Sequence, residues 1–373
     1  MVNKVIHISL GKANPNRMNG VNKVLHSLLS VQAGFIGEIE YWGISFSDQH
    51  NYPERPFKTI LFRDYKSKFR LDPKLKMRIG DLKNEKNVIV HLHGAFLPQL
   101  YSISKLLVKN DVAYIFTPHG GYNLRALEKS KLLKKIYMNF IEGYVVQNAK
   151  SVQLIGASEA HGLLQYMQPK DFQIIPNGQE PLSTNYKKLE QIDKVLNIGY
   201  LGRIDIQTKG LDLILKAMKI VKDELQMKLT VIGDEGEILE LRNDLISLGL
   251  YNCVDFKGAL FGEAKLQALA QLDAFCLVSR NEGLPGVVLE ASAVGVPSIV
   301  SEQTNMAEYI NESDAGWVMT EYNEKELSSI FKKVDEEKND GLIRTKGNNA
   351  KEMIQKVFDW KEIAKNLEEL YAA

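Results

Sequence analysis

Cysteine is scarce. Only Cys253 and Cys276 occur in 373 residues, and no Cys-x-x-Cys pair is present. That excludes a disulfide framework, a dithiol redox centre and a structural zinc knot, and makes a reducing compartment the default expectation. Long apolar runs are missing as well. The opening stretch KVIHISL is too short for the core of a signal segment, and nothing later approaches the ~20 unbroken apolar residues of a membrane span. The expectation is a cytoplasmic chain. Two glycine patterns are also absent. Without Gly-Lys-Ser/Thr behind a glycine loop there is no P-loop, and without a full Gly-x-Gly-x-x-Gly a dinucleotide oxidoreductase is disfavoured. No Asp-x-Asp run appears in the loops expected to line a ligand cleft, so no metal ion and no other cofactor are expected.

Neither sign of charge dominates, with 47 Lys+Arg against 46 Asp+Glu. The balance hides a division. Residues 1–182 carry 24 Lys+Arg and 14 Asp+Glu, or 24 − 14 = +10, and residues 183–373 carry 23 and 32, or 23 − 32 = −9. Unequal halves point to two domains with different partners. A basic half suits an anionic membrane surface or a phosphorylated substrate. Nucleic acid is not expected, because no recognised nucleic-acid module is present.

Short apolar stretches alternate with helical periodicity along the whole chain. KVIHISL, IEYWGIS, NVIVHLHG, VAYIFTPHG and SVQLIGAS read as strands in the first half, with PQLYSISKLLVK and SKLLKKIYMNFIEGYVVQ as helices. VLNIGYLG, LTVIGDEG, CVDFKG, AFCLVS and PSIVS continue the pattern in the second half. Such alternation predicts an α/β fold of two doubly wound parallel sheets whose strand ends line a ligand cleft. The segment from Pro176 to Lys188 is rich in Pro, Asn, Gly, Gln and Ser and marks the boundary. Residues 1–182 form one domain and 183–357 the other.

Chemistry concentrates in two stretches. In SRNEGLPGVVLEASAVGVPSIVS, Glu282 is followed by seven residues and then Glu290. A strand leads into the loop Gly283–Leu284–Pro285–Gly286, and a helix begins near Val287. Free N–H groups at a helix start bind anions or hydroxyls, and ionised carboxylates accept hydrogen bonds from a polyol. Glu290, flanked by Leu289 and Ala291, is ill-suited to a merely solvated face. In GYLGRIDIQTKGLDLIL, Arg203 follows a strand-ending Gly202 and Lys209 precedes Gly210. A rigid guanidinium fork and a mobile ammonium at strand-to-helix turns suit a diphosphate.

Together GRIDIQTKG, VIGDEG and EGLPGVVLEASAVGVPSIVS resemble the large retaining glycosyltransferase family of the GT-B fold, glycosyltransferase family 4, to which many bacterial cell-surface polysaccharide enzymes belong. The resemblance implies two Rossmann-like domains facing a central cleft. The segment FDWKEIAKNLEELY resembles the family's last helix, which implies that about 358–373 cross back onto the first domain. It further implies that Arg203 and Lys209 hold the donor diphosphate, that Glu290 binds the ribose, and that Glu282 takes the sugar hydroxyls with help from Gly283, Leu284 and Gly286. Pro285 stands where the family commonly has Gly and removes one donor. Phe256 to Leu260, Gly258 included, match the stretch that meets the base through backbone groups. Gly20 matches a glycine loop near the donor phosphates, with Asn19 in place of a second Gly. In TPHGGY, His119 matches a histidine beside the transferring sugar. His93 and Asn177 are further cleft candidates, and the remaining histidines read as structural or surface residues.

The implied activity is transfer of a hexose or N-acetylhexosamine, with retention, from a nucleotide sugar favoured to be UDP-linked. The implied acceptor is a lipid-diphosphate-linked saccharide in O-antigen, capsule or exopolysaccharide synthesis. A sugar-nucleotide epimerase of similar architecture is the alternative. Phe57 to Arg78 contain eight Lys/Arg interleaved with Phe57, Phe62, Tyr65, Phe69, Leu71, Leu75 and Met77. A second basic run includes Arg125, Lys129, Lys131, Lys134 and Lys135. Basic and apolar residues together suit peripheral docking on the inner, anionic membrane face.

Overall fold

A computed structural model of the chain describes residues 2–15, 20–47, 52, 54–65, 67–123, 127, 131–180, 182, 186, 194–234 and 236–372, with only the main chain at 131–133. It divides into two compact units. The first is Met1–Glu180 with Trp360–Ala373, and the second is Pro181–Asp359.

Seven parallel strands form the sheet of the first unit: β1 (Lys4–Leu10), β2 (Glu38–Ser45), β3 (Lys58–Arg63), β4 (Val88–His93), β5 (Tyr114–Thr117), β6 (Ser151–Leu154) and β7 (Phe172–Ile174). Their order is β3-β2-β1-β4-β5-β6-β7. The middle strands are buried along nearly their whole length, as expected for a parallel sheet covered on both faces. The second unit has six parallel strands: β8 (Leu196–Leu201), β9 (Met227–Ile232), β10 (Val254–Gly258), β11 (Ala274–Leu277), β12 (Ser298–Ser301) and β13 (Gly316–Met319). Their order is β10-β9-β8-β11-β12-β13. Both sheets therefore reverse direction of growth once, between β1 and β4 and between β8 and β11.

The helix Trp360–Ala372 belongs to the first unit. Trp360, Ile363, Ala364, Leu367, Leu370 and Tyr371 form its inward stripe against Leu25, Leu28 and Leu29 of the helix Gly20–Gln32 and against Val5, Ile89 and Ile115 of the sheet. Each buried aliphatic side chain of this kind contributes about 1.5–3 kcal/mol. SKLLKKIYMNFIEGYVVQ is not one regular helix. A π turn over Met138–Glu142 interrupts it, and Glu142 turns inward to accept the Phe96 N–H at 2.9 Å and the Tyr122 hydroxyl at 2.8 Å.

The expectation for Phe57 to Arg78 needs correction. Phe57, Phe62, Leu71 and Leu75 are core residues, and β3 itself lies in this stretch. Only Phe69 and Met77 of the interleaved apolar side chains are strongly exposed. Lys66, Arg125 and Lys129 lie outside the described residues. No helix among the described residues is long and apolar enough to cross a membrane.

Where the first sheet reverses, His7 on β1 lies beside His91 and His93 on β4. All three are fully buried. His91 and His93 share one strand face, with ring centroids 4.1 Å apart, and the His7 and His93 rings are nearly parallel, with centroids 5.1 Å apart. Burial holds the imidazoles neutral, pulling His7 down to about 3 and His91 and His93 well below their usual value. His119 is pulled to about 4 for the same reason. A lowered histidine pKa contributes stability that is complete above the unfolded value near 6.5 and is lost as pH falls through the folded one. Glu142 and Glu159, raised to about 7 by burial, act in the opposite sense, but they are two against four and their effect is complete by about pH 4.5. The melting temperature of the first unit should therefore fall from about pH 6.5 to pH 4, most steeply below pH 4.5. Circular dichroism melts across that range test this, and a flat profile would show that the imidazoles accept protons without cost.

Candidate functional site

In the second unit the strand order reverses between β8 and β11, so the loops leaving these two neighbours diverge and open a crevice at the carboxyl end of the sheet. The first loop carries Arg203 and Lys209. Gly210 ends it at φ 74° and starts the helix Leu211–Val221. A β-carbon there would lie 2.1 Å from the Val278 carbonyl oxygen. Only glycine lets this loop press against the end of β11, and that approach brings Lys209 to the second loop.

Lys209 Nζ lies 2.6 Å from Glu282 Oε1, and Ser279 Oγ donates to the same oxygen at 2.8 Å. The Glu282 main chain is held too. Its N–H donates to the Gln303 carbonyl at 3.2 Å, and Asn305 Nδ2 donates to the carbonyls of Glu282 and Gly283 at 2.9 and 2.6 Å. Arg280 braces the two loops. Its N–H donates to the Thr208 carbonyl at 2.9 Å, its guanidinium also reaches the Gln207 carbonyl, and its fork grips Asp212 at 2.7 and 2.9 Å. Arg203 projects outward with its side chain 64% exposed, and Nη2 stands 3.4 Å from Asp205 Oδ2. Asp205 in turn accepts the Thr208 N–H at 3.0 Å.

The loop after Glu282 runs through Gly283, Leu284 and Pro285 into the helix Gly286–Ala293. No atom lies within 4 Å of where a Gly286 β-carbon would stand, so this helix start is open. Glu290 is buried one turn further on and pairs with Lys265 Nζ at 2.7 Å. Lys265 lies on the helix Gly262–Ala270. Phe256 on β10 lies under the Arg242 guanidinium, 4.5 Å from its ring centre. Gly258 turns the chain at φ 67°, and its carbonyl accepts the Gly233 N–H at 2.8 Å. Positions 203, 209, 282 and 283–286 thus share the edge where the strand order reverses, and Glu290 sits behind them. Sequence reasoning missed Lys265, Ser279, Arg280 and Asn305. The one local signal was Arg280 just ahead of the acidic loop, with Asp212 just after Lys209–Gly210.

In the first unit His119 follows β5 at φ 53°, an uncommon conformation for a residue with a β-carbon. Its Nε2 lies 3.0 Å from His93 Nδ1. Close contacts fix the loop that carries it. A β-carbon on Gly121 would lie 2.4 Å from that of Ala95, and one on Gly162 would lie 1.8 Å from the Tyr122 carbonyl oxygen. Glu159 accepts the Ile155 N–H at 3.0 Å beneath the same loop. His93 as a direct ligand contact is corrected by its surroundings. It is 1% exposed and both ring nitrogens are engaged, by His7 and His119, so it reaches a ligand only through His119. Gly20 opens the helix Gly20–Gln32, and no atom lies within 4 Å of where its β-carbon would stand; Asn19 lies outside the described residues. Asn177 is half-buried in the loop after β7, next to Gly178, whose β-carbon would stand 2.5 Å from the Trp360 ring.

Residues 182–357 match the family described as glycosyl transferases group 1. N-acetyl-alpha-D-glucosaminyl L-malate synthase of Bacillus anthracis is 25% identical over 344 residues, covering 88% of this chain and 87% of its own. Among solved structures, HepE of Anabaena in complex with UDP superposes with a TM-score of 0.76 at 16% identity, covering 99% of each chain. The lipopolysaccharide outer core galactosyltransferase WaaB gives 0.75 at 15% identity, covering 98% of each. Residues 182–357 thus carry the group 1 glycosyl transferase match, and the chain as a whole has the GT-B fold of two Rossmann-like domains.

Proposed function

We propose that this protein is a retaining hexosyl- or N-acetylhexosaminyltransferase. It moves a sugar from a UDP-linked donor to a lipid-diphosphate-linked saccharide during synthesis of a surface polysaccharide. The observation that carries this reading is the Lys209–Glu282 pair, held at the strand-order reversal beside the exposed Arg203 and the open helix start at Gly286. A donor would exchange partners with this pair. Its diphosphate takes Lys209 and Arg203, and a sugar hydroxyl takes Glu282. Because the donor offers each partner a replacement, a phosphate for the ammonium and a hydroxyl for the carboxylate, the exchange leaves neither charge unpaired. Glu290, braced by Lys265, is poised to accept from the ribose hydroxyls. As the glycosidic bond breaks, charge grows on the leaving diphosphate. Once the donor has engaged them, the two cations and the helix-start N–H groups stabilise that charge. The two cations supply the electrostatic role of a metal, and turnover therefore needs none. The acceptor hydroxyl attacks on the face the diphosphate leaves, which gives retention. The solved relative with bound UDP and the lipopolysaccharide galactosyltransferase support this choice of donor and pathway.

Membrane docking, in this reading, uses the exposed side chains of the basic stretch. Phe69 and Met77 are exposed in a segment that also exposes Lys68, Arg70, Lys74, Lys76 and Arg78, and the Lys68 ammonium lies 4.8 Å from the centre of the exposed Phe46 ring. The apolar tips would enter the interface while the basic residues meet anionic headgroups.

Arg203→Ala and Lys209→Ala should each lower kcat for transfer or donor hydrolysis by about 100-fold or more, with unchanged circular dichroism and undiminished activity of the parent in EDTA. Near-normal turnover in both variants would remove the donor assignment, and an inverted anomeric product by NMR would remove retention. Cosedimentation with phosphatidylglycerol vesicles at low salt should detect binding that Phe69→Ser with Met77→Ser weakens about tenfold or more. Absence of binding by the parent chain would eliminate the docking surface.

A further inference from the structure

The buried polar groups of the first unit form a continuous hydrogen-bond chain, and one backbone atom sets its direction. The Ile175 carbonyl can only accept, so the Gln153 atom 2.9 Å away is the donating Nε2. Gln153 Oε1 then faces Thr117 Oγ1 at 2.8 Å, and the hydroxyl must donate to it. With its own proton committed there, Thr117 Oγ1 accepts from His91 Nε2 at 2.7 Å. A neutral imidazole has one N–H, so His91 Nδ1 offers a lone pair to the Tyr371 hydroxyl, which donates at 2.8 Å. The Tyr371 oxygen accepts from Gln32 Nε2 at 3.2 Å. Gln32 Oε1 therefore accepts from His7 Nε2 at 2.9 Å. His7 Nδ1 accepts from His93 Nε2 at 2.9 Å, and His93 Nδ1 accepts from His119 Nε2 at 3.0 Å. Among the described residues His119 Nδ1 has no hydrogen-bond partner, and it is not a sealed atom.

Nitrogens of His7, His91 and His93 all lie within 4.8 Å of one another, close enough to suggest a metal ion. The hydrogen bonds already made favour the relay instead. Every ring nitrogen of the three already has a partner, and a cation would break several of these bonds while adding charge to a fully buried site. Neutrality of all the rings, on which the bond directions depend, is what burial dictates. The left-handed backbone at His119, uncommon for a residue with a β-carbon, holds the ring against His93 at the end of the chain.

We propose that the relay from Ile175 to His119 fixes His119 in the tautomer protonated on Nε2, and so presents Nδ1 as an obligate acceptor for a ligand hydroxyl. Gln32 and Tyr371 are then positioning residues. They touch no ligand, yet they determine which nitrogen of His119 carries the proton. The identity of the ligand as the donor sugar rests on the function proposed above, whereas the tautomer does not.

The test uses full-length chain labelled with [15N]histidine. Long-range 1H–15N spectra near pH 7.5, without ligand, distinguish the two tautomers, and the signals lost in His119→Asn assign that ring. The expected result is a single Nε2–H form. Tyr371→Phe removes one oxygen from a packed ring, and Gln32→Leu removes the link on the other side. In whichever variant folds, His119 should show both tautomers, and kcat/KM for UDP-glucose or UDP-N-acetylglucosamine hydrolysis should fall about tenfold. A proton on His119 Nδ1 in the parent, or an unchanged single tautomer in both folded variants, would overturn the relay. The expected tautomers with undiminished donor turnover would sustain the relay and count against the donor reading alone.

Discussion

A parallel sheet that grows in one direction and then in the other has one pair of neighbours whose following loops part company. The two units of this protein each contain that arrangement once, and each fills it differently. In the second unit the parted loops follow β8 and β11. They carry Lys209 and Glu282, drawn together by the glycine-only approach of Gly210 to Val278 and tied by Arg280. In the first unit the pair is β1 and β4, and the residues there are His7, His91 and His93.

The two fillings differ in how charge is managed. Lys209 and Glu282 keep some contact with water, so a charged ligand can reach them and take over their partnership. The imidazoles are sealed, so charge is excluded and directional hydrogen bonds are the polar interaction left to them. An exchangeable ion pair suits a group that must bind and release a charged leaving group. A neutral directed chain suits a group that must present one lone pair in one place.

Much of this is legible in the amino-acid order alone. Strands buried on both faces betray themselves as short unbroken apolar runs, and the glycine, acid and cation spacings of the second half mark its functional edge. The edge strands are harder. In β3 only Phe62 is buried, β7 has two exposed residues in three, and β13 begins at Gly316, where a β-carbon would meet the Ser298 main chain. None of these shows the pattern that identifies a central strand. The basic stretch around β3 reads as lipid-facing because its apolar residues alternate with lysines, yet most of them serve the core. Supporting side chains escape notice for a different reason. Lys265, Arg280 and Asn305 are ordinary polar residues in sequence, and only tertiary proximity gives them work. Gln32 and Tyr371 meet across 339 positions, a separation at which no local pattern can operate.

That last contact carries a consequence for biogenesis. The helix Trp360–Ala372 covers Ile89 and Ile115 and supplies the Tyr371 hydroxyl, but the ribosome makes it only after the entire second unit. During translation the first unit must wait with an apolar stripe uncovered and with Gln32 and His91 each lacking a partner. A nascent chain in that condition exposes apolar surface until the whole second unit has been made, so the first unit to begin synthesis is the second to be completed.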